Sequence, residues 1–344
     1  MTSNSRMQRK GAVTAKQVAD LAGVSRAAVS RSFTPGASVS AETRRKVMAA
    51  ADQLGYQVNH LARGLISSQS GLVALIAAEI ETPYRAALLS ALAQALQAAG
   101  KTPILIATER SDESVRNALR QATSYRTEAA VVLSGMPDTA LTEMCLRHGM
   151  RLVLINRDDA QPGTLQIRLN DRAAGETAFN TLLSTGCKRI ALIASDAGTP
   201  SLVGRIEGFE GAARAQGVEI SRLISGATSY ATGLQIGTQL FSRPDRPDGV
   251  FCVTDLLACG VMDAARQRFG LRVPEDVSCI GYDDIPQASW ESYQLTTFAQ
   301  PIDEIAEAAI DWLAAPAEDH ARSEIVELQA PLVWRQTLPR LAPS

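Results

Sequence analysis

Residues 14–36 read TAKQVADLAGVSRAAVSRSFTPG, and the punctuation of this stretch decides the first part of the fold. Thr14 and Gln17 have the spacing of a capping box, in which each side chain accepts from the other's backbone N–H. Val18, Leu21 and Ala22 then share one face of a helix that Gly23 breaks. Ser25 opens a second short helix through Ala28, Val29 and Phe33, and Pro35-Gly36 ends it. Ser40 caps a third, longer helix carrying Val47, Ala50 and Leu54, closed by Gly55. Two short helices joined by a tight glycine-containing turn make a helix-turn-helix.

Outside this segment the chain is long and ordinary in composition. Its 344 residues predict two or three domains, and 46% apolar with 20% charged residues is enough to build a core. No uninterrupted apolar run approaches the roughly 18 residues of a membrane span, and Met1–Lys10 is polar and basic with no secretory h-region. The sequence therefore predicts a cytoplasmic protein with no membrane partner. Five scattered cysteines without C-x-x-C spacing predict free buried thiols, with no disulfide framework, metal or other cofactor.

Charge is split along the chain. Residues 1–66 hold ten Lys and Arg against three Asp and Glu, while the rest of the chain is acidic. Positive charge confined to one small segment points to a polyanion, although a basic tail would show the same imbalance.

Residues 58–71 read as a linker in which a short helix would be marginal alone. From Leu72 the texture changes. Apolar runs at Leu72–Ala78, Thr102–Ala107, Ala129–Leu133, Arg151–Ile155, Arg189–Ala194, Asp248–Val253 and Asp276–Gly281 alternate with amphipathic stretches. That alternation means βαβ units. So many units predict two doubly wound parallel-sheet lobes, with a ligand cleft outside the carboxyl ends of the strands.

A helix that reads DNA presents small or polar side chains to base edges from its N-terminal end. The second helix does so with Arg26, Ala27, Ser30 and Arg31, and Arg26 has the fork to reach guanine O6 and N7. Thr14 and Ser40, at helix starts, can bring backbone N–H groups to phosphates. An ordinary three-helix surface with solvated arginines is the competing reading.

The stretches VTAKQVADLAGVSRAAVSRSF, VSAETRRKV and LGYQVNHLARGL resemble the headpiece of the lactose-repressor (LacI/GalR) family. The resemblance continues through GCKRIALIAS, SLVGRIEGFEGA, VPEDVSCIGYDD, LTTFAQP and WRQT. It implies an α/β protein with an N-terminal three-helix headpiece, a hinge helix and two periplasmic-binding-protein-like lobes. The implied boundaries are a basic N-terminus at 1–12, the headpiece at 13–57, the hinge and linker at 58–71, and an effector-binding and dimerisation region at 72–340. Within that region, lobe 1 spans about 72–168 and 302–329, and lobe 2 about 169–296 and 330–340. Positions matching DNA contacts are Thr14, Ser25, Arg26, Ala27, Ser30, Arg31, Thr34, Tyr56 and Asn59. Leu65 matches a leucine that wedges into the minor groove, with Ala62 and Arg63 beside it. Val58 departs from the family's usual proline.

Positions matching the family's effector site are Tyr84, Arg85, Ser134, Asn156, Ser201, Arg205, Thr228, Thr254, Asp283 and Gln300. Ser201 and Arg205 are four apart on a predicted helix and can face one cleft. Asp283 follows an apolar run, at a strand's carboxyl end. Spacing alone would equally allow Arg205 to be a solvated helix residue and Asp283 a turn former. Arg85 and Thr228 stand where aromatics are common, and Asn156 replaces a frequent aspartate. These departures favour a small polar effector, sugar or sugar-derived, with an anionic one as the sharper expectation. Arg85 pointing to solvent is the alternative.

The resemblance thus implies a nucleoid-associated repressor that binds a palindromic double-stranded DNA operator as a homodimer under effector control. The seven residues after Thr337 leave no room for tetramer-forming heptads, which favours a dimer. A periplasmic-type solute-binding protein is the alternative. An enzyme is disfavoured, because no Rossmann fingerprint, P-loop or nucleophile elbow is present. Gly204-x-x-x-Gly208-x-x-Gly211 falls inside a predicted helix and lacks that context.

Overall fold

The computed structural model describes residues 13–34, 36–57, 70–133, 138–157, 162–316 and 323–339. Most of the expected hinge (Asn59, Ala62, Arg63 and Leu65) and Ser134 of the cleft lie outside them. The chain divides into two compact units, residues 1–70 and 71–344.

The first unit holds α1 (Ala15–Ala22), α2 (Arg26–Ser32) and α3 (Ala41–Leu54). Each start is capped as its sequence dictates. The Thr14 N–H donates to Gln17 Oε1 at 2.8 Å while Thr14 Oγ1 accepts from the Gln17 N–H, completing the capping box. Ser25 accepts from the Ala28 N–H and Ser40 from the Thr43 N–H. Gly23 and Gly55 end α1 and α3 in the left-handed region, which glycine enters without a Cβ penalty. Val18, Ala19, Val29, Val47, Ala50 and Ala51 form the core, flanked by Phe33 and Tyr56 with ring centroids 5.8 Å apart. Leu21, expected on the buried face, is instead 47% exposed. The buried stripe runs through Ala15, Val18, Ala19 and Ala22, and Leu21 lies off its edge.

The second unit contains two six-stranded sheets. The first has the order β11-β5-β4-β3-β1-β2, all parallel, from β1 (Leu72–Ala77), β2 (Thr102–Ala107), β3 (Ala129–Val132), β4 (Arg151–Ile155), β5 (Thr164–Leu169) and β11 (Glu324–Leu328). The second has the order β12-β10-β9-β8-β6-β7. It comprises β6 (Ile190–Ala194), β7 (Ile220–Ile224), β8 (Gly249–Cys252), β9 (Ser278–Asp283), β10 (Thr296–Ala299) and the antiparallel edge strand β12 (Leu332–Val333).

Burial alternates along the strands. Val73, Leu75 and Ala77 of β1 face a core made with α4 (Pro83–Ala98) and α11 (Ile302–Ala314). Ala74 and Ile76 face the opposite core, made with α5 (Asp112–Ser124) and α6 (Thr139–Arg147). A sheet buried on both faces is why these strands read as continuous apolar runs. The second sheet is covered by α7 (Asp171–Ser184), α8 (Pro200–Ala215), α9 (Tyr230–Phe241) and α10 (Asp255–Asp263).

β5, β7 and β10–β12 were not expected from apolar runs. β7 and β11 are edge strands with mostly exposed or half-buried residues, and β5 carries Gln166 and Arg168. The chain crosses between the sheets after β5, β10 and β11. All five cysteines are buried thiols. Among the described residues, no helix is long and apolar enough to cross a membrane.

Candidate functional site

Two surfaces gather the residues singled out by the sequence. The first is the outer face of α2. Val29 and Ser32 point into the headpiece core, leaving Arg26, Ala27, Ser30 and Arg31 exposed on the far side. Ser25, Thr14 and Ser40 are exposed at helix starts, while Thr34 and Tyr56 are half-buried. Thr34 donates to the Ser30 carbonyl at 3.0 Å, closing the end of the helix. Arg44 of α3, which sequence reasoning passed over, donates to the Ser32 and Ala37 carbonyls.

The second surface is a cleft where strands of both sheets end. Its lining includes nine of the ten expected positions: Tyr84, Arg85, Asn156, Ser201, Arg205, Thr228, Thr254, Asp283 and Gln300. Tyr84 packs against the cores of both sheets. Asn156 follows β4, Thr254 follows β8, Asp283 ends β9 and Gln300 follows β10, the disposition expected of ligand sites in doubly wound sheets. Asn156 and Asp283 have φ of 55° and 121°, conformations that L-residues rarely adopt and that aim their side chains inward at a backbone cost. Tyr230, near Thr228 in sequence, does not line the cleft; its hydroxyl donates to Asp263 at 2.7 Å.

Arg205 is the centre of the second sheet's side. It is 2% exposed. Its Nε donates to Asp171 Oδ1 and its Nη1 to the Val253 carbonyl, each at 2.8 Å. The same Nη1 lies 3.7 Å from Asp283 Oδ1, and the guanidinium sits 3.4 Å from the centroid of the Tyr282 ring. Burial opposes the charge, but Asp171, Tyr282 and Asp283 outweigh it and hold the pKa above the ordinary arginine value. Gln300 Nε2 donates to Asp283 Oδ1 at 2.7 Å. Burial pushes the Asp283 carboxyl up to about 6 despite Arg205 and Gln300. Behind it, Asp255 accepts from Thr297 Oγ1 at 2.6 Å and from the Ile285 N–H at 3.0 Å; burial, aided by Asp283, lifts its carboxyl to about 8.

On the first sheet's side, Arg85 is half-buried and donates to the Leu133 carbonyl at 2.9 Å. It lines the cleft, against the alternative that it turns to solvent. Thr228 and Ser195 hydroxyls are 2.6 Å apart. Tyr84 OH, Asn156 Oδ1, Thr254 Oγ1 and Gln300 Oε1 are buried with no hydrogen-bond partner among the described residues. Buried polar atoms are nearly always paired, so four in one cleft mark a surface built for polar contacts.

Sequence reasoning missed Glu79, Arg110 and Arg157 of the lining, and Asp171, Tyr282 and Asp255 behind it. Asp171 had a readable signal: Asn170 caps α7, with Asp171 as its first residue. Reading it required recognising β5.

Residues 14–59 match the profile of bacterial regulatory proteins of the lacI family, and residues 179–338 that of a periplasmic binding protein-like domain. The HTH-type transcriptional repressor PurR of Photobacterium profundum is 28% identical over 333 residues, covering 95% of this chain and 99% of that one. The ribose operon repressor of Escherichia coli (strain K12) is 31% identical over 304 residues, covering 87% and 92%. A crystal structure of the lac repressor dimer bound to operator and the anti-inducer ONPF aligns with a TM-score of 0.84 at 25% identity, covering 95% and 99%. These relatives are transcriptional repressors, not enzymes.

Proposed function

The chain belongs to the lacI family of bacterial regulatory proteins and is a DNA-binding transcriptional repressor, and on that premise we propose how it is deployed. It acts in the cytoplasm as a homodimer on a pseudo-palindromic operator, and a small molecule in the cleft between its two sheets sets its grip. A two-fold protein reading two half-sites suits a symmetric operator.

The observation that carries this reading is one chain joining an outward-facing Arg26–Arg31 helix to a cleft fed by strand ends of both sheets. Arg26 reads a base edge, Ala27 and Ser30 lie beside it, and Thr14, Ser25, Ser40 and Arg31 hold the phosphate backbone, with Thr34 and Tyr56 at the margin. Asn59, Ala62, Arg63 and the Leu65 wedge extend the contact through a hinge at 58–71; that part rests on the resemblance alone.

The effector bridges Tyr84, Arg85 and Asn156, with Ser134, on one side and Ser201, Arg205, Thr228, Thr254, Asp283 and Gln300 on the other. A ligand touching both sides favours the closed arrangement of the sheets and so shifts a population. Residues 58–71 are the covalent connection between the headpiece and β1, and the effector acts on DNA binding through them. Such coupling is typically about 1–3 kcal/mol and is reciprocal between the two sites.

Selection of binding sites from random DNA tests the first half. Wild type should yield a two-fold symmetric motif. Arg26→Ala should relax one position in each half-site at a cost of roughly 1–3 kcal/mol; an unchanged motif refutes the assignment.

A further inference from the structure

The cleft's charges are matched unevenly. Arg110 is paired with Glu79, and Arg205 with Asp171 and Asp283. Arg85 has no carboxylate in ion-pair contact among the described residues; its acceptor is the neutral Leu133 carbonyl. Arg157 Nη2 approaches that same oxygen, at 3.3 Å, so two guanidiniums converge on one neutral acceptor. Burial acts on Arg85 to lower its pKa, the direction expected of a charge the protein has left under-compensated. Glu79 and Asp283 act on Arg85 only through space, and a half-buried cation with no carboxylate in contact is costly and marks a candidate binding group.

The rest of the lining asks for hydroxyls. Asn156 Oδ1 and Gln300 Oε1 are unpartnered acceptors, and Tyr84 OH and Thr254 Oγ1 are unpartnered hydroxyls. Tyr84 is the one aromatic side chain among the described lining residues, so a flat ring would find little to stack on.

We propose that the cleft takes an anionic polyol, with its oxyanion on Arg85 and its hydroxyls spread between Asn156 and the Arg205–Asp283–Gln300 cluster. This rests on the reading of the cleft as the effector site and narrows the effector's class. Either a carboxylate or a phosphate ester meets the requirement, since both present oxygens to a guanidinium fork.

The test uses the full chain at constant ionic strength, which removes general screening. Thermal unfolding is followed with D-gluconate, D-glucuronate, D-glucose 6-phosphate, D-glucose, D-ribose and hypoxanthine. A binder of the folded state raises the midpoint by mass action. At least one anionic polyol should raise it saturably, and more than its neutral counterpart does. Gluconate against glucose 6-phosphate decides between carboxylate and phosphate. Removing a charge-assisted contact should weaken that anion about tenfold or more in Arg85→Gln, and less in Arg85→Lys.

The proposal is overturned if a neutral probe binds best, if no anion exceeds matched chloride, or if Arg85→Gln binds the anion as wild type does. Operator affinity, read by fluorescence anisotropy with the same probes, separates the two layers. A neutral sugar that binds and shifts operator affinity leaves the cleft an effector site and sinks the anionic class. An anion that binds through Arg85 without shifting operator affinity keeps the anion site and sinks the regulatory reading.

Discussion

Arg44 Nη1 donates to the carbonyl of Ser32 at 2.6 Å, so the third helix holds the end of the second. Through Nη2 the same side chain reaches Ala37, on the far side of the turn. One planar fork thereby fixes where α2 stops and where the chain turns back. Arg44→Met should destabilise the headpiece by about 1.5–3 kcal/mol, the worth of a charge-assisted hydrogen bond. Amide exchange at Thr34 and Ala37 should accelerate with it. Arg44→Lys keeps the charge but loses the fork, and should fall between the two. Unchanged exchange at those amides would mean that the turn holds itself.

The Arg205–Asp171 pair invites a different experiment. Both side chains are buried, so deleting one strands the other. Arg205→Met alone should cost about 3–5 kcal/mol in denaturant unfolding. Arg205→Met with Asp171→Asn should recover part of that loss, because the Asp171 carboxylate is no longer stranded, while Asp283 lacks Arg205 in both variants. Strict additivity would show that the two do not depend on each other.

Asp255 predicts a pH dependence. A carboxyl with a higher pKa folded than unfolded keeps its proton better in the folded state. Its stabilisation is full below the ordinary value of 3.8 and disappears as pH rises through about 8. Asp255→Asn can still accept from the Ile285 N–H and can donate to Thr297, but it cannot ionise. The stability of wild type relative to this variant should therefore fall steadily from about pH 4 to about pH 8 and level off above. A flat difference would mean that Asp255 does not titrate in that window.

Glycines on one helix should answer in opposite directions. A Cβ on Gly208 would lie 2.0 Å from the Arg172 carbonyl oxygen, whereas one on Gly211 meets nothing nearer than Arg214 Nη2 at 4.0 Å. Gly208→Ala should cost about 1–3 kcal/mol or more by forcing α7 and α8 apart. Gly211→Ala should gain about 0.5–1 kcal/mol from helix propensity. Calorimetric melting of the two variants checks both signs. Packing against α7 thus accounts for Gly204 and Gly208 of the Gly-x-x-x-Gly-x-x-Gly spacing, and not for Gly211.

Local chemistry was the most legible layer of this sequence. Thr14, Ser25 and Ser40 announce three helices because each cap is decided within four residues, and β1, β3 and β6 announce themselves because both their faces are buried. β7 and β11 did not, since half-exposed edge strands have no apolar run to read. In the cleft, Arg205 and Ser201 were legible as helix neighbours, and family resemblance supplied positions for the others. The partners that fix Arg205 were not: Asp171, Val253 and Tyr282 lie on separate elements that only the folded sheets bring together. Nothing local in the sequence distinguishes Asp255, whose behaviour comes from burial.

If the cleft is the effector site proposed above, the bond from Gln300 to Asp283 has a quantitative consequence for signalling. Asp283 is already engaged by Gln300 and by Arg205. An incoming hydroxyl that uses this carboxylate must exchange with a resident rival, so its net gain is a difference between two similar bonds. Weak metabolites present in passing would then leave transcription untouched, and only a compound offering more than the internal one would cross the threshold. On that reading Gln300 is a dial on the dose–response midpoint: shortening it should shift the concentration at which the gene switches.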